Sequence, residues 1–209
     1  MQKYRLSGFL ACGLLGSLLM AAPVIAQAPA PAKAPAVPSA AAQQPAAAPA
    51  AKPPETPRPS PNAKVSQRVG FTDISVDYFS PGVKKRNVWK ELVPPGKMWR
   101  TGANASTKVT FSKDVVVGDK PVPAGTYALL TIPDKKEWTI VLNKNTDIGG
   151  NMDKYVEGDD VARVTAKPKS VPARERMTFI FSDTTDDSTS LDLEWDKVRV
   201  SLPIKAPAK

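Results

Sequence analysis

Val115-Val-Val-Gly-Asp-Lys-Pro-Val-Pro-Ala-Gly-Thr-Tyr-Ala-Leu-Leu-Thr-Ile-Pro-Asp-Lys-Lys-Glu-Trp-Thr-Ile-Val-Leu-Asn143 is the stretch that decides the fold. Short apolar runs rich in β-branched and aromatic residues alternate in it with turn residues, the pattern of strands joined by tight connections. Val115-Val116-Val117 runs into Gly118-Asp119, a two-residue hairpin signal. Pro123-Ala124-Gly125 makes the next turn, where glycine can take positive φ. Tyr127 to Ile132 is apolar on both faces and reads as a central strand covered twice. Asp134 to Glu137 turns the chain into Trp138–Asn143, in which Trp138, Ile140 and Leu142 share a face.

The same texture extends outward on both sides. Upstream, Val65-Gln67-Val69 and Ile74-Val76-Tyr78 alternate with polar residues, and Ser80-Pro81-Gly82 breaks the second run. Asn87 is placed to cap a helical turn over Val88–Leu92 that Pro94 stops, with Trp89 and Leu92 as a plug over the core. Downstream, residues 143–160 form a polar loop with room for one helical turn around Met152–Tyr155. Val161 to Ala166 reads as a strand that Pro168 and Pro172 place at an edge. Met177-Phe179-Phe181 and Leu191-Leu193-Trp195 alternate across the acidic loop Asp183–Ser190. The apolar phase then slips before Val198-Val200-Leu202, which predicts a bulge at Asp196-Lys197 within a long strand. Many short strands and little helix predict an all-β domain over residues 64–205, an antiparallel β-sandwich or open barrel, with 206–209 as a tail.

The N-terminal part has another character. Residues 1–26 read as a secretory signal, with Lys3 and Arg5 ahead of an apolar run from Leu6 to Met20 and small residues before a cut after Ala26 or Ala28. Cys12 lies inside that run rather than at its end, which argues against lipid attachment there. The run is also short for a bilayer span. Residues 27–63 are about two-thirds alanine and proline, with a few Lys, Gln and Ser among the rest. Proline removes donors and fixes φ, and the segment has little to bury, so a disordered, polyproline-like linker is expected. The mature chain is therefore expected to be extracytoplasmic, periplasmic or secreted, with no stable membrane insertion after signal cleavage.

Composition narrows the chemistry. The formal charge is +9, but residues 1–63 carry five cations against Glu55 alone, and the remaining +5 is spread among interleaved acids and bases. Lys84-Lys85-Arg86 is the one dense basic cluster, short of the basic stripe with aromatics that nucleic acid needs. There is no histidine, and Cys12 is the single cysteine. The body thus lacks the two commonest transition-metal ligands and any Ser-His or Cys-His pair. No intrachain disulfide can form, so stability rests on a packed core, which about 145 residues can supply. No cofactor is implied.

Lys97, Trp99, Arg100 and Asn104 are the candidate ligand-binding residues, between the Pro94-Pro95-Gly96 turn and the alternating run Thr107–Phe111, with Gly102 as a hinge. A guanidinium beside an indole can hold a carboxylate or phosphate while the ring stacks on a flat face, and the asparagine adds a donor and an acceptor. The structural alternative has Arg100 paired with a carboxylate, Trp99 filling the end of the sandwich and Asn104 satisfying loop backbone. Asn143, Asn145 and Asp147 begin like a calcium loop, but Ile148 and Lys154 stand where such a loop needs glycine and glutamate. Asp192, Glu194 and Asp196 alternate along one strand about 7 Å apart, which would suit a histidine-free carboxylate hydrolase of glycosidase type and equally a solvent-facing strand.

Val88-Trp-Lys-Glu-Leu-Val-Pro-Pro-Gly-Lys-Met-Trp-Arg-Thr-Gly-Ala-Asn104 resembles the signature of the bacterial family called Domain of Unknown Function 2911. So do Phe111-Ser-Lys-Asp114, Pro123-Ala-Gly-Thr-Tyr127, Thr131-Ile-Pro133 and Glu137-Trp-Thr-Ile140. The likeness covers roughly residues 65–205. It departs at Pro95, where the family pattern has an aromatic, and at Ala105, where it often has an acid. The resemblance implies an exported β-rich domain and brings no activity or catalytic residue with it. The combined expectation is a non-enzymatic envelope or periplasmic module, binding an unidentified ligand or envelope partner or serving a structural role.

Overall fold

The computed structural model describes residues 56–207. The signal segment, Cys12, most of the Ala/Pro-rich linker and the last two residues of the tail lie outside the described residues. The first strand, β1 (Asn62–Val69), begins two residues ahead of the expected domain start at Lys64.

Two antiparallel sheets face each other. The larger has the order β1, β2 (Thr72–Phe79), β3 (Thr107–Phe111), β6 (Gly125–Ile132), β7 (Trp138–Asn143) and β8 (Asp160–Ala166). The smaller has the order β5 (Lys120–Val122), β4 (Val115–Val117), β10 (Ser188–Lys205) and β9 (Lys169–Ser182). The two sheets are separate and enclose one core between them, so of the two architectures expected the protein is the sandwich. Alternation places Ile74, Val76, Val109, Phe111, Leu129 and Ile140 of the larger sheet in one core with Met177, Phe179, Leu191, Leu193, Trp195 and Leu202 of the smaller.

The doubly apolar β6 sits inside the six-stranded sheet, and its second face is also covered. Ala128 and Leu130, with Val141 of β7, pack against Ile148, Met98, Met152 and Tyr155. The loop after β7 thus lies on the outer face of the sheet, held there by Ser106 Oγ donating to Thr146 O at 3.3 Å. Its asparagines serve the loop itself, since Asn143 Oδ1 accepts from Asn145 N and Asn145 Oδ1 accepts from Asp147 N. The helical turn expected at Met152–Tyr155 is a turn only, and a short 3-10 segment follows at Glu157–Asp159.

The turn Val88–Leu92 forms where expected, as a single wide π-type turn. Asn87 makes no side-chain cap, and Glu91 instead reaches back to accept from Asn87 N at 3.3 Å. β8 is an edge strand, as its flanking prolines imply. β9 and β10 pair with Phe181 opposite Leu191 and Phe179 opposite Leu193. The register shifts on both sides of Asp196, which takes φ +52°, so the phase slip in the sequence is a bulge in a continuous strand.

Gly118, at the β4–β5 turn, has φ +63°, and a Cβ there would lie 2.6 Å from Val164 Cγ1 of β8. Gly118→Ala is therefore expected to cost about 2–3 kcal/mol, combining left-handed strain with overpacking. Urea denaturation of Gly118→Ala, Val164→Ala and the pair measures it. The pair should be more stable than the sum of the single losses, because trimming Val164 removes the collision and leaves only the strain. Strict additivity would mean that the turn does not press on β8.

Candidate functional site

The segment that follows the helical turn is tied to the end of β6. Lys97 N donates to Pro94 O at 3.3 Å, with Pro95 and Gly96 (φ +73°) in the two central positions, the arrangement of a type II turn. Gly96 N then donates to Pro133 O at 2.7 Å, and Trp99 and Thr131 exchange backbone hydrogen bonds of 2.7 and 2.9 Å. This short ladder occupies the place beside Thr131 that β3, starting at Thr107, does not reach.

Extended backbone sends successive side chains to opposite faces, and that separates the residues expected to act together. Trp99 turns inward, is 8% exposed, and stacks on Trp195 with ring centroids 5.7 Å apart and planes at 22°. Its indole N–H donates to Gly102 O at 3.0 Å. Met98 and Arg100 turn to the outer face, Met98 into the cluster under the loop after β7 and Arg100 against Gly150 of that loop. The clamp of indole and guanidinium expected from their adjacency is not formed. Lys97 and Asn104 are exposed, and Asn104 Nδ2 reaches only Ser60 O, at 3.5 Å.

Gly102 is no hinge. It is buried, and a Cβ there would meet Thr107 Oγ1 at 3.1 Å and Phe79 O at 3.2 Å. The unusual backbone belongs to Thr101, a β-branched residue at φ +56°. It is held by Thr101 Oγ1 donating to Thr131 Oγ1 at 3.1 Å and by Thr107 Oγ1 donating to Thr101 O at 2.6 Å. The corner is a rigid joint between β3 and β6.

Arg100 keeps a chemical interest. Its Nε is buried with no partner, and burial pulls the guanidinium below its usual pKa range with no acid opposing that shift. The alternative of an Arg100–carboxylate pair is not what the fold contains.

The same segment builds a second feature from its first half. The chain's four tryptophans form a continuous series in which Trp89 meets Trp138 edge-on at 5.2 Å and Trp195 at 5.8 Å, and Trp195 stacks on Trp99. Trp89 and Trp138 open onto a cleft of about 560 Å³, within the common range for ligand pockets. Val93, Val198 and the rings of Pro95, Pro133 and Pro168 complete its apolar wall, and Asn87, Lys90, Asp134 and Lys135 supply its polar groups. Sequence reasoning treats Trp89 as a plug, Pro95 as part of a turn and Pro168 as the mark of an edge strand. Prolines recurring beside tryptophans at several chain breaks were the available signal, and only the fold shows that the breaks converge.

Of the three acids on β10, Asp192 and Glu194 are buried and ion-paired, and Asp196 sits at the bulge. Asp192 and Glu194 are 1% and 4% exposed on the outer side of the smaller sheet. Glu194 accepts from Arg174 Nε at 2.6 Å and Arg199 Nε at 2.7 Å, and Asp192 accepts from Ser182 Oγ at 2.9 Å. Burial alone would push the Glu194 carboxyl up, but the hydrogen bonds and charges of Arg199 and Arg174 outweigh it and hold the group below its usual range. Of the two carboxyls of a glycosidase pair, Glu194 is thus not the protonated acid, and both its oxygens are taken by arginines.

Residues 60–204 match the family model described as Protein of unknown function (DUF2911). No curated protein and no solved structure matches the chain. The match takes in every strand from β1 to β9 and all of β10 but Lys205. A match over this span, Val88–Asn104 included, means that the chain belongs to the DUF2911 family.

Proposed function

We propose that this protein is a non-enzymatic, extracytoplasmic binding module whose ligand lies in the Trp89–Trp138 cleft. The observation that carries the reading is the cleft itself, an open apolar wall of two indoles and three pyrrolidines rimmed by Lys90, Asp134 and Lys135. Flat, rigid rings lose little conformational entropy on binding and suit an extended, proline-containing peptide or the apolar face of a sugar. The absence of imidazole from the sequence and the arginine-locked Glu194 support binding over catalysis. Export is supported by the N-terminal sequence pattern. The Lys97–Asn104 loop has a different part in this reading, for it positions the wall of the cleft through the Pro94–Lys97 turn.

Tryptophan emission of the full chain, titrated with an Ala/Pro-rich peptide and separately with a neutral oligosaccharide, tests the proposal. A saturable change with either ligand is expected, lost in Val198→Arg, which places a long cation in the cleft. If neither class changes the emission, and Val198→Arg matches the wild type in stability and spectrum, the cleft is a surface feature and the module is structural.

A further inference from the structure

Arg100 stands apart from the other described arginines. Arg68, Arg163, Arg174 and Arg199 are ion-paired, Arg86 and Arg176 donate to backbone carbonyls, and Arg58 is exposed. Arg100 is half-buried on the outer face of the larger sheet, its Nε sealed from water without a partner. A guanidinium carries five donors, and leaving a desolvated donor unbonded costs about 1–3 kcal/mol. A desolvated, unpaired charge of this kind is a candidate for completion by a ligand.

The loop above it has the matching deficit. Gly150 packs so closely that a Cβ would lie 2.7 Å from Arg100 Nη1 and 3.2 Å from Cζ. The backbone N–H groups of Ile148, Gly149, Gly150 and Asn151 have no acceptor among the described residues. Of the two acids flanking Gly150 in the loop, Asp147 is held by Lys154 and lies in the field of Lys108, and Asp153 lies in the field of Lys154. Guanidinium and unpaired amides thus meet at one place, with Asp147 and Asp153 both facing the charge of Lys154. Donors without acceptors around a partly desolvated cation describe a place for an anion.

We propose that Arg100, together with the Gly149-Gly150 backbone, forms an oxyanion-binding site for a carboxylate or phosphate group of a ligand. The planar fork takes two oxygens at once, the loop amides add neutral donors, and Gly150 is required because any side chain there would occupy the space of the guanidinium. The site is on the opposite face of the sheet from the sandwich core and rests on nothing in the tryptophan cleft.

The test is nitrogen-edited NMR of the full chain at low ionic strength, reading the Arg100 Nε–H signal and the amides of Gly149 and Gly150. Succinate is titrated in one arm and inorganic phosphate in another, with sodium chloride at matched ionic strength as the control. Saturable shifts of these three signals with succinate, phosphate or both are expected, and the arm that saturates identifies the oxyanion. Arg100→Lys, which keeps the charge and loses the fork, should weaken binding at least tenfold by the glycine signals. Gly150→Ala should do the same by the Arg100 signal. Shifts no larger than those of chloride overturn the site, as does unchanged affinity in Gly150→Ala. If Arg100→Lys does not fold, the wild-type titration and Gly150→Ala decide the matter.

Discussion

Trp195→Ala should be the most damaging single truncation in the domain, costing about 4 kcal/mol. Trp195 is 2% exposed and is contacted by two other tryptophans, stacked on Trp99 and edge-on to Trp89. Removing it opens the space between the sheets at the point where the Val88–Asn104 segment is anchored, and the walls are strands that cannot collapse inward. For a folded body of this size the melting midpoint should fall by roughly 8–16 °C. Trp195→Phe should cost far less, about 1–2 kcal/mol, because it keeps most of the ring and discards an indole N–H that has no partner. Denaturant unfolding of both variants checks the ordering. If alanine costs no more than phenylalanine, the tryptophan series is not what joins the sheets there.

The second large effect lies on the outer side of the smaller sheet. Glu194→Gln should destabilise the protein by about 2–3 kcal/mol at neutral pH, near the lower end for a broken buried pair. The loss stays at that end because Arg174 and Arg199 are 44% and 36% exposed and can turn to water once the carboxylate is gone. The pH dependence follows from the direction of the shift. Glu194 is held below its usual range in the fold, so the unfolded chain takes up its proton at higher pH. Its contribution is fully present above the ordinary glutamate value of about 4.3 and is lost as pH falls through the lower folded value. Denaturation from pH 7 to pH 2 should show the wild type losing stability in acid more steeply than Glu194→Gln, with the two curves converging at the acid end. Parallel curves would mean that the arginines do not hold this carboxylate.

Much of the architecture was legible because β-structure writes its period locally. The Gly118-Asp119 hairpin, the doubly covered β6, the edge position of β8 and the pairing of Phe179 with Leu193 all depend on neighbours two residues apart or on a turn residue with special φ. Even the bulge at Asp196 was visible, since a slipped apolar phase has only a few causes. The candidate site was legible in part. The Val88–Asn104 stretch does organise the domain, yet adjacency in sequence argued for a Trp99–Arg100 clamp that alternation forbids. In an extended segment, neighbours face opposite ways, and the bridge to Thr131 that makes this segment extended is a contact thirty-two residues along the chain.

By itself, then, the sequence determined the class of fold, the turns, the strand that needs two covers and the absence of imidazole and of a second thiol, because each is a property of composition or short-range period. Only the tertiary structure decided that Trp99 is core while Trp89 borders a cleft, that Glu194 is locked by two arginines, and that Arg100 meets Gly150 without an ion pair among the described residues. Those outcomes depend on which surfaces the two sheets and the loop after β7 bring together, and long-range packing leaves no local periodic trace.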